Sequence, residues 1–528
     1  MSRAAGRFLN DIRMVAGLGT TACFPFCEAV SSEMALGDRT MAKDYDVVVV
    51  GCGIAGLAAA ASAVEGGARV VVLERSPRNE RGGNSRYTEA YLRMSSETEV
   101  SPDFESGLEA NAGGYLDPEL VKSVLKTREQ WPPLLRSLSF ADPELVSHFA
   151  RSVPEAITWL KKFGVRFEFF PTQFLTQATP RLLPSGGGLA VVEALGEFAE
   201  GQGVAFHYET TARELLLGSK GEVIGVRGLS RTEGPIDFRG QVILASGGFE
   251  GNPEMLTQYL GPGAHFLRPV ARGGLYNKGE GIRMALAVGA APAGEFGNFH
   301  AEPIDPRSGA SEPSIMIFPY GILVNRLGER FVDEGSDLVD RMYEEVTRAI
   351  WRQPQGIAYC VGDSKVKEIP AYSRAIRTDQ PAVEADSLKI LAERLGIRSA
   401  AFEETVRRYN AAIQPGPFNP LALDGKRTQG LTPPKTNWAL PLEKAPFFAY
   451  PMICSVVFTF GGVKVNTHAQ VINSDGDVIP GLYASGEVVG MYYGSYLGST
   501  SVLKALVFGR LAGVTASRSR HLGETRHP

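Results

Sequence analysis

Three glycines and one acid stand at a spacing that could do chemistry. In "VVVVGCGIAGLAAA" (residues 47–60), Gly51, Gly53 and Gly56 form G-x-G-x-x-G directly after four valines. In such a motif the first glycine permits a tight turn and the second lets a pyrophosphate approach the backbone. The third lets the following helix lie close to the strand. The helix start, at Ile54 and Ala55, offers unpaired N–H groups to phosphate oxygens. Glu74 ends a second apolar run at 70–73, with Arg75 beside it. An acid there accepts hydrogen bonds from a ribose. A second cluster lies near the end of the chain. Tyr492, Tyr493 and Tyr496 sit among glycines in "GMYYGSYLGSTSVLKALVFGRLAG" (residues 490–513), which continues into an apolar stretch of helical period. Phenols at the mouth of a helix can face a bound molecule, and Tyr492 and Tyr493 are expected as wall residues.

The elements that must position these groups read as one βαβ unit. The β-branched run 47–50 suits a buried parallel strand, and an Ala-rich helix and a second strand follow. "PSGGGLAVVEALGEF" (residues 184–198) is Gly-rich, but no apolar strand runs into it. One dinucleotide is therefore expected, read as FAD, rather than the two of a nicotinamide-dependent flavin reductase.

The 528 residues exceed what one hydrophobic core serves, so at least two domains are expected. With 44% hydrophobic residues, 21% charged residues and a net charge of −4, the composition gives no reason to expect a nucleic-acid or anionic-membrane partner. The five cysteines, Cys23, Cys27, Cys52, Cys360 and Cys454, are scattered and contain no CxxC. That predicts reduced thiols, a cytoplasmic location, no metal site and no iron–sulfur cluster within the chain.

Beyond Glu74 the chain resembles the fumarate reductase/succinate dehydrogenase flavoprotein family. The motifs are "GGNS" (Gly82, Gly83, Asn84, Ser85), "VILASGGFEGNPEML" (242–256) and "NKGEGIRMALAVGA" (277–290). They continue with "ILVNRLGERFVDE" (322–334), "SLKILAERLGIRSAAFEETVRRYNAAI" (387–413) and "VIPGLYASGEVVG" (478–490). The resemblance implies an α/β fold: a Rossmann-like FAD-binding domain with an inserted α+β capping domain. It places the FAD-binding domain at 45–261 plus 445–516 and the cap at 262–444, leaving a disordered extension at 1–44 and a tail at 517–528. It also implies FAD contacts from Ala245, Ser246, Gly247, Gly248, Gly486 and Glu487, and from the backbone of Ser501 and Val502. Asn84 stands where succinate dehydrogenases carry the histidine that binds FAD covalently, so non-covalent FAD is expected.

Within the family, "RGGNSRYTEAYLR" (81–93), "LTPPKTNWALPLEKAPFFAYP" (431–451) and "FTFGGVKVNTHAQV" (458–471) are similar to the tricarballylate dehydrogenase branch. The expected reaction is dehydrogenation or reduction of a C–C bond next to a carboxylate or carbonyl, with hydride exchanged at flavin N5. Phe458 replaces the fumarate reductase histidine and Tyr496 its arginine, so fumarate is a poor candidate substrate. "LGSTS" after Tyr496 also departs from the tricarballylate pattern and leaves a 3-ketosteroid dehydrogenase-like or other neutral enone activity open. A non-catalytic flavin-fold binding protein is the remaining alternative.

Catalytic candidates are Tyr496 as donor to a substrate oxygen, His300 as substrate contact, Arg272 as carboxylate clamp, and Arg341, which follows the hairpin where fumarate reductases place their catalytic arginine. Arg330 is expected to brace the hairpin against Asp333 or Glu334. Small-molecule substrate aside, the implied partner is a membrane iron–sulfur or cytochrome electron acceptor.

Overall fold

The structure, a computed structural model, describes residues 41–110, 118–170 and 181–519. Cys23, Cys27 and most of the expected extension and tail lie outside them. Strand β1 (Met41–Val50) is buried only from Val47 onward. The turn after it leads into α1 (Ile54–Glu65), then β2 (Val70–Leu73). β1 and β2 pair in parallel, Val47 opposite Val70 and Val50 opposite Leu73. The first sheet runs Gln470–Ile472, Val478–Ala484, Gly234–Leu244, β1, β2, Ala205–His207. An α/β dinucleotide-binding layer is thus present. It starts four residues earlier than Tyr45, because the polar start of β1 (Lys43, Asp44) lies at an exposed end of the strand where hydrophobic pattern gives no signal.

The second sheet is built around one long strand. β3 (Phe299–Ile304), followed in the chain by helix α2 (Val339–Trp351), pairs antiparallel with β4 (Phe447–Thr459). The register shifts between His300 and Ala301, a bulge that leaves His300 opposite Phe458. Ile357–Asp363 pairs with the other part of β4 and with Ile322–Asn325. β4 crosses two cores: Phe448 and Met452 pack under α2, whereas Val456 and Phe458 join the core of the first sheet. The described residues from Ala42 to Ser519 form one compact unit. The boundary expected at 445 therefore falls just before a strand shared by both layers. No helix among the described residues is long and apolar enough to cross a membrane.

The last helix, α3 (Ser501–Ser519), extends past the expected end at 516. It lies on α1 through two glycines. A Cβ at Gly509 would stand 2.3 Å from Ala55 O, and one at Gly513 2.2 Å from Ala59 O. This close approach fixes the middle of α3 against the first turns of α1. Gly513→Ala should force the helices apart at a cost of about 1–3 kcal/mol. A lower melting temperature of the FAD-loaded protein is the expected outcome; an unchanged one would mean that the helices do not touch there.

Candidate active site

β1 stops at Val50 and the chain turns at Gly51 with φ +109°, a conformation that favours glycine. A Cβ there would lie 2.4 Å from Ala245 O, and one at Gly56 2.0 Å from Gly51 O. Both glycines are demanded by backbone contact. α1 then begins without a side-chain cap from Gly53 and without an acidic residue in its first turn. Its start faces a cavity that, with its open mouth, holds about 1320 Å³. Of the residues expected at the cofactor, all but Ile54, Gly56 and Gly248 line that cavity. Ile54 N–H donates instead to Ser85 Oγ at 3.2 Å. Gly56 and Gly248 act by having no side chain; a Cβ at Gly248 would lie 2.0 Å from Glu487 Oε1.

Glu74 accepts from the N–H groups of Cys52 and Ser76, both at 2.8 Å. Burial raises its pKa against the pull of those bonds. Arg75 is paired with Glu280 and donates to Tyr276 O at 3.2 Å. Asn84 uses both amide hydrogens, on Glu250 Oε1 (2.7 Å) and Val457 O (2.9 Å). Glu487 accepts from Thr459 N–H at 2.7 Å and Thr459 Oγ at 3.0 Å. Burial and mutual repulsion hold the Glu250 carboxyl well above the usual range, and burial raises that of Glu487. Lys504 donates to Val489 O at 2.8 Å, and burial lowers its pKa to about 7.

On the side of the second sheet, Val457, Phe458, Ala271, Tyr492 and Glu312 form the wall. Behind Phe458 lies His300, 4% exposed, with ring centroids 5.4 Å apart. Tyr343 Oη is 3.3 Å from His300 Nε2, and Glu344 Oε1 is 3.2 Å from Nδ1. Burial first, and Arg348 second, lower the His300 pKa to about 3, so the ring is neutral. His300 belongs to this chamber but does not line the cavity.

Tyr496 differs from expectation. Its hydroxyl accepts from the N–H groups of Thr500 and Ser501, each at 3.0 Å, and donates to Ser501 Oγ at 3.0 Å. It caps the first turn of α3, and its proton is already committed. The role of substrate donor expected for it is therefore not supported by the geometry. Two more candidates are corrected. Arg272 pairs with Glu80 at 2.7 Å with its side chain 65% exposed, because the turn Arg272–Tyr276 directs the Gly273 backbone inward against Gly83. Arg341 sits on the outer face of α2, 48% exposed and 3.5 Å from Asp337. Arg330 does pair with Glu334, at 2.6 Å. Tyr492 is a wall residue as expected, its hydroxyl 3.1 Å from Thr500 Oγ. Tyr493 Oη accepts from Gly294 N–H at 3.0 Å and does not line the cavity.

Sequence reasoning missed Glu250, Glu312 and Lys504. Thr500, just before α3, and Lys504 and Phe508 on its buried face recur every four residues, a period that could have marked Lys504. Glu250 lies within the motif 242–256. Glu312 lies in a loop with no pattern.

A glycine-lined cavity at the carboxyl ends of β1 and Gly234–Leu244, closed by a second sheet, defines a dinucleotide-binding flavoprotein. The chain belongs to the FAD binding domain family, whose profile matches residues 46–503, within the fumarate reductase/succinate dehydrogenase flavoprotein superfamily. Its cofactor is FAD. The chain is 28% identical to the NADH:acrylate oxidoreductase of Vibrio harveyi over 93% of its own length and 52% of that protein. It is 26% identical to the vinyl phenol reductase of Lactiplantibacillus plantarum over 91% of its own length and 98% of that protein. Its fold is similar to the open conformation of a flavocytochrome c3 fumarate reductase, with a TM-score of 0.69 at 22% identity, over 90% of this chain and 78% of that one. The chain spans about half the length of the acrylate oxidoreductase. The residues present fit FAD. Two glycines leave no room for a Cβ, and the start of α1 opens on the cavity. Ser246 Oγ and Asn84 Oδ1, on lining residues, are buried without hydrogen-bond partners.

Tyr496→Phe should leave the Thr500 and Ser501 N–H groups short of their acceptor, at a cost of about 1–3 kcal/mol. The expected outcome is a lower melting temperature together with weaker FAD binding. A variant as stable as the wild type, with FAD retained, would contradict the capping role.

Proposed function

We propose that the chain is an FAD-dependent oxidoreductase that adds or removes a hydrogen pair across a carbon–carbon bond conjugated to a neutral polar group, such as a vinyl phenol or an enone. The observation that carries this reading is the wall of Phe458, Tyr492, Val457 and Ala271 beside Glu312. An aromatic face packs a flat conjugated substrate well. A carboxylate substrate would call for a guanidinium fork. Among the described residues one arginine lines the cavity, Arg75, and it is paired with Glu280. Arg377 lies between Glu89 at 2.5 Å and Glu312 at 3.5 Å. The neighbouring Glu302 and Glu344 add charge or polarity that does not welcome an anion. The likeness to a vinyl phenol reductase, spanning nearly that whole protein, supports the same reading.

One observation favours the carboxylate reading, a tricarballylate-like dehydrogenase. Arg181 Nη1 is buried without a hydrogen-bond partner, in the field of Arg93, Asp340, Asp103 and Tyr496. A substrate carboxylate would satisfy it.

Bound FAD supplies the two-electron donor or acceptor. In this reading Gly51, Gly53 and Ala55 hold its pyrophosphate and Glu74 its ribose. Gly82, Gly83, Ser85, Ala245, Ser246, Gly247, Gly486 and Glu487 complete the cradle with the start of α3 at Ser501 and Val502. Neutral His300, held by Tyr343, keeps the substrate end polar without adding charge. Asn84 has no nucleophilic ring nitrogen and both amide hydrogens are engaged, so FAD is held without a covalent bond. Electrons pass to or from a separate membrane iron–sulfur or cytochrome protein, as the resemblance implies. The chain acts in the cytoplasm, where the free, buried Cys52, Cys360 and Cys454 stay reduced.

Acid precipitation should release intact FAD; flavin that stays on the chain would refute the role given to Asn84. The activity is tested by reducing the bound FAD anaerobically and adding a vinyl phenol, a 3-keto enone steroid, acrylate or fumarate. Return of the oxidised flavin spectrum is expected fastest with the neutral compounds. Faster return with the carboxylates would favour Arg181 and the second reading. No return with any of them would favour a binding protein.

A further inference from the structure

The wall contains one ionisable oxygen pair that no motif announces. Glu312 lines the cavity next to Val270 and Ala271, and its N–H donates to Val270 O at 3.2 Å. Its backbone takes φ +48°, a strained value for a residue with a side chain, which is held by this bond and by the Arg377 contact. Glu302 stands on β3, two residues beyond the bulge that positions His300, and its Oε1 is 3.9 Å from His300 Nε2. The groups that face the two carboxyls are Arg377, Glu89, Glu344, His300 and, through Glu89, Tyr91. Arg377 is the one cation among them, and Glu89 takes its closer contact.

Two facts separate this pair from an ordinary acidic patch. The first is that Glu312 reaches the cavity of the cofactor itself, beside the aromatic wall. The second is that His300, buried and neutral, stands at the inner end of the same chamber, 3.9 Å from Glu302 Oε1 and 3.2 Å from Glu344 Oε1. A carboxyl at that depth, whose one cationic neighbour is engaged more closely by Glu89, suits delivery of a proton to carbon better than ion pairing.

Resting on the functional reading above, we propose that Glu312 is the catalytic acid and base of this site and that Glu302 is the positioning residue that resupplies its proton. In the direction of reduction, the substrate's C=C π electrons form a new C–H bond with the proton of Glu312. The Glu312 O–H bond breaks and its electron pair stays on the carboxylate. The other carbon would take its hydrogen, with the electron pair, from bound FAD in its reduced form, so the double bond would gain two electrons and two hydrogens. Glu302 then returns a proton to Glu312 and regains one from solvent. In dehydrogenation the same proton moves from carbon to the Glu312 carboxylate.

The electrostatics agree with this use. Burial, then the charge of Glu302, push the Glu312 pKa up to about 8, and burial pushes Glu302 up to about 7 against the pull of Arg377. A carboxyl raised in this way is protonated below that pH. Reduction should therefore slow as the pH rises through about 8, whereas dehydrogenation should gain.

The test uses FAD-loaded wild type, Glu312→Gln, Glu312→Asp and Glu302→Gln. Infrared difference spectra between wild type and E312Q should contain a protonated-carboxyl band that disappears as the pH rises through about 8 and shifts in E302Q. In stopped-flow reoxidation of the reduced protein by a vinyl phenol, E312Q should keep its flavin spectrum and lose about 10²–10⁴-fold in rate. E312D should recover part of the loss, and E302Q should chiefly move the pH profile. A difference spectrum with no protonated carboxyl at neutral pH, or an E312Q rate near wild type, would overturn the proposal. If the wild type reoxidises with none of the substrate probes, the functional reading fails, and the infrared arm still decides whether Glu312 holds the proton.

Discussion

Thr459 ties the two layers of this protein together with two bonds to one oxygen. Its N–H and its hydroxyl both reach Glu487 Oε1, which hangs from the first sheet at the cofactor cavity. Thr459 is the last residue of β4, the strand that carries Phe458 into the wall and pairs with β3 behind it. Because side chains alternate along a strand, fixing Thr459 also fixes which way Phe458 and Val457 face. The bulge on β3 then sets His300 against Phe458 and leaves Glu302 pointing to the same chamber. Val457, Phe458, His300 and Glu302 are thus positions on one clamped strand pair, and Glu312 reaches the same chamber from a loop.

The second constraint is the cost of buried charge. Glu250, Glu302, Glu312 and Glu487 all have pKa values raised first by burial, and Lys504 and His300 have theirs lowered by it. A site assembled from such groups is close to neutral and holds protons that can move near physiological pH. That state suits chemistry in which a proton and an electron pair reach adjacent carbons. It does not suit the binding of several substrate carboxylates.

The cofactor half was legible in the sequence because its signals are local. Gly51, Gly53 and Gly56 occupy one turn, and the clash that a Cβ at Gly56 would make with Gly51 O follows from that turn alone. The substrate half was not legible, because it is made by partners far apart in the chain. His300 meets Phe458 and Tyr343, and Glu312 meets Arg377; no spacing rule links them. Tyr496 was misread for a related reason: a hydroxyl near a helix start can serve a ligand or the helix, and only the fold decides. Arg272 and Arg341 show that an arginine in a suggestive segment can simply face water. The division expected at 445 falls just before β4, whose side chains join both cores.

The central claim is that the wall of Phe458, Tyr492 and Glu312 selects a neutral conjugated molecule. Binding of non-reacting product analogues to the oxidised FAD-loaded protein tests it without turnover. Flavin difference spectra titrated with 4-ethylphenol and with propionate should give a dissociation constant at least about tenfold lower for the phenol, a gap of ~1.4 kcal/mol. Tighter binding of propionate, lost on Arg181→Gln, would contradict the account.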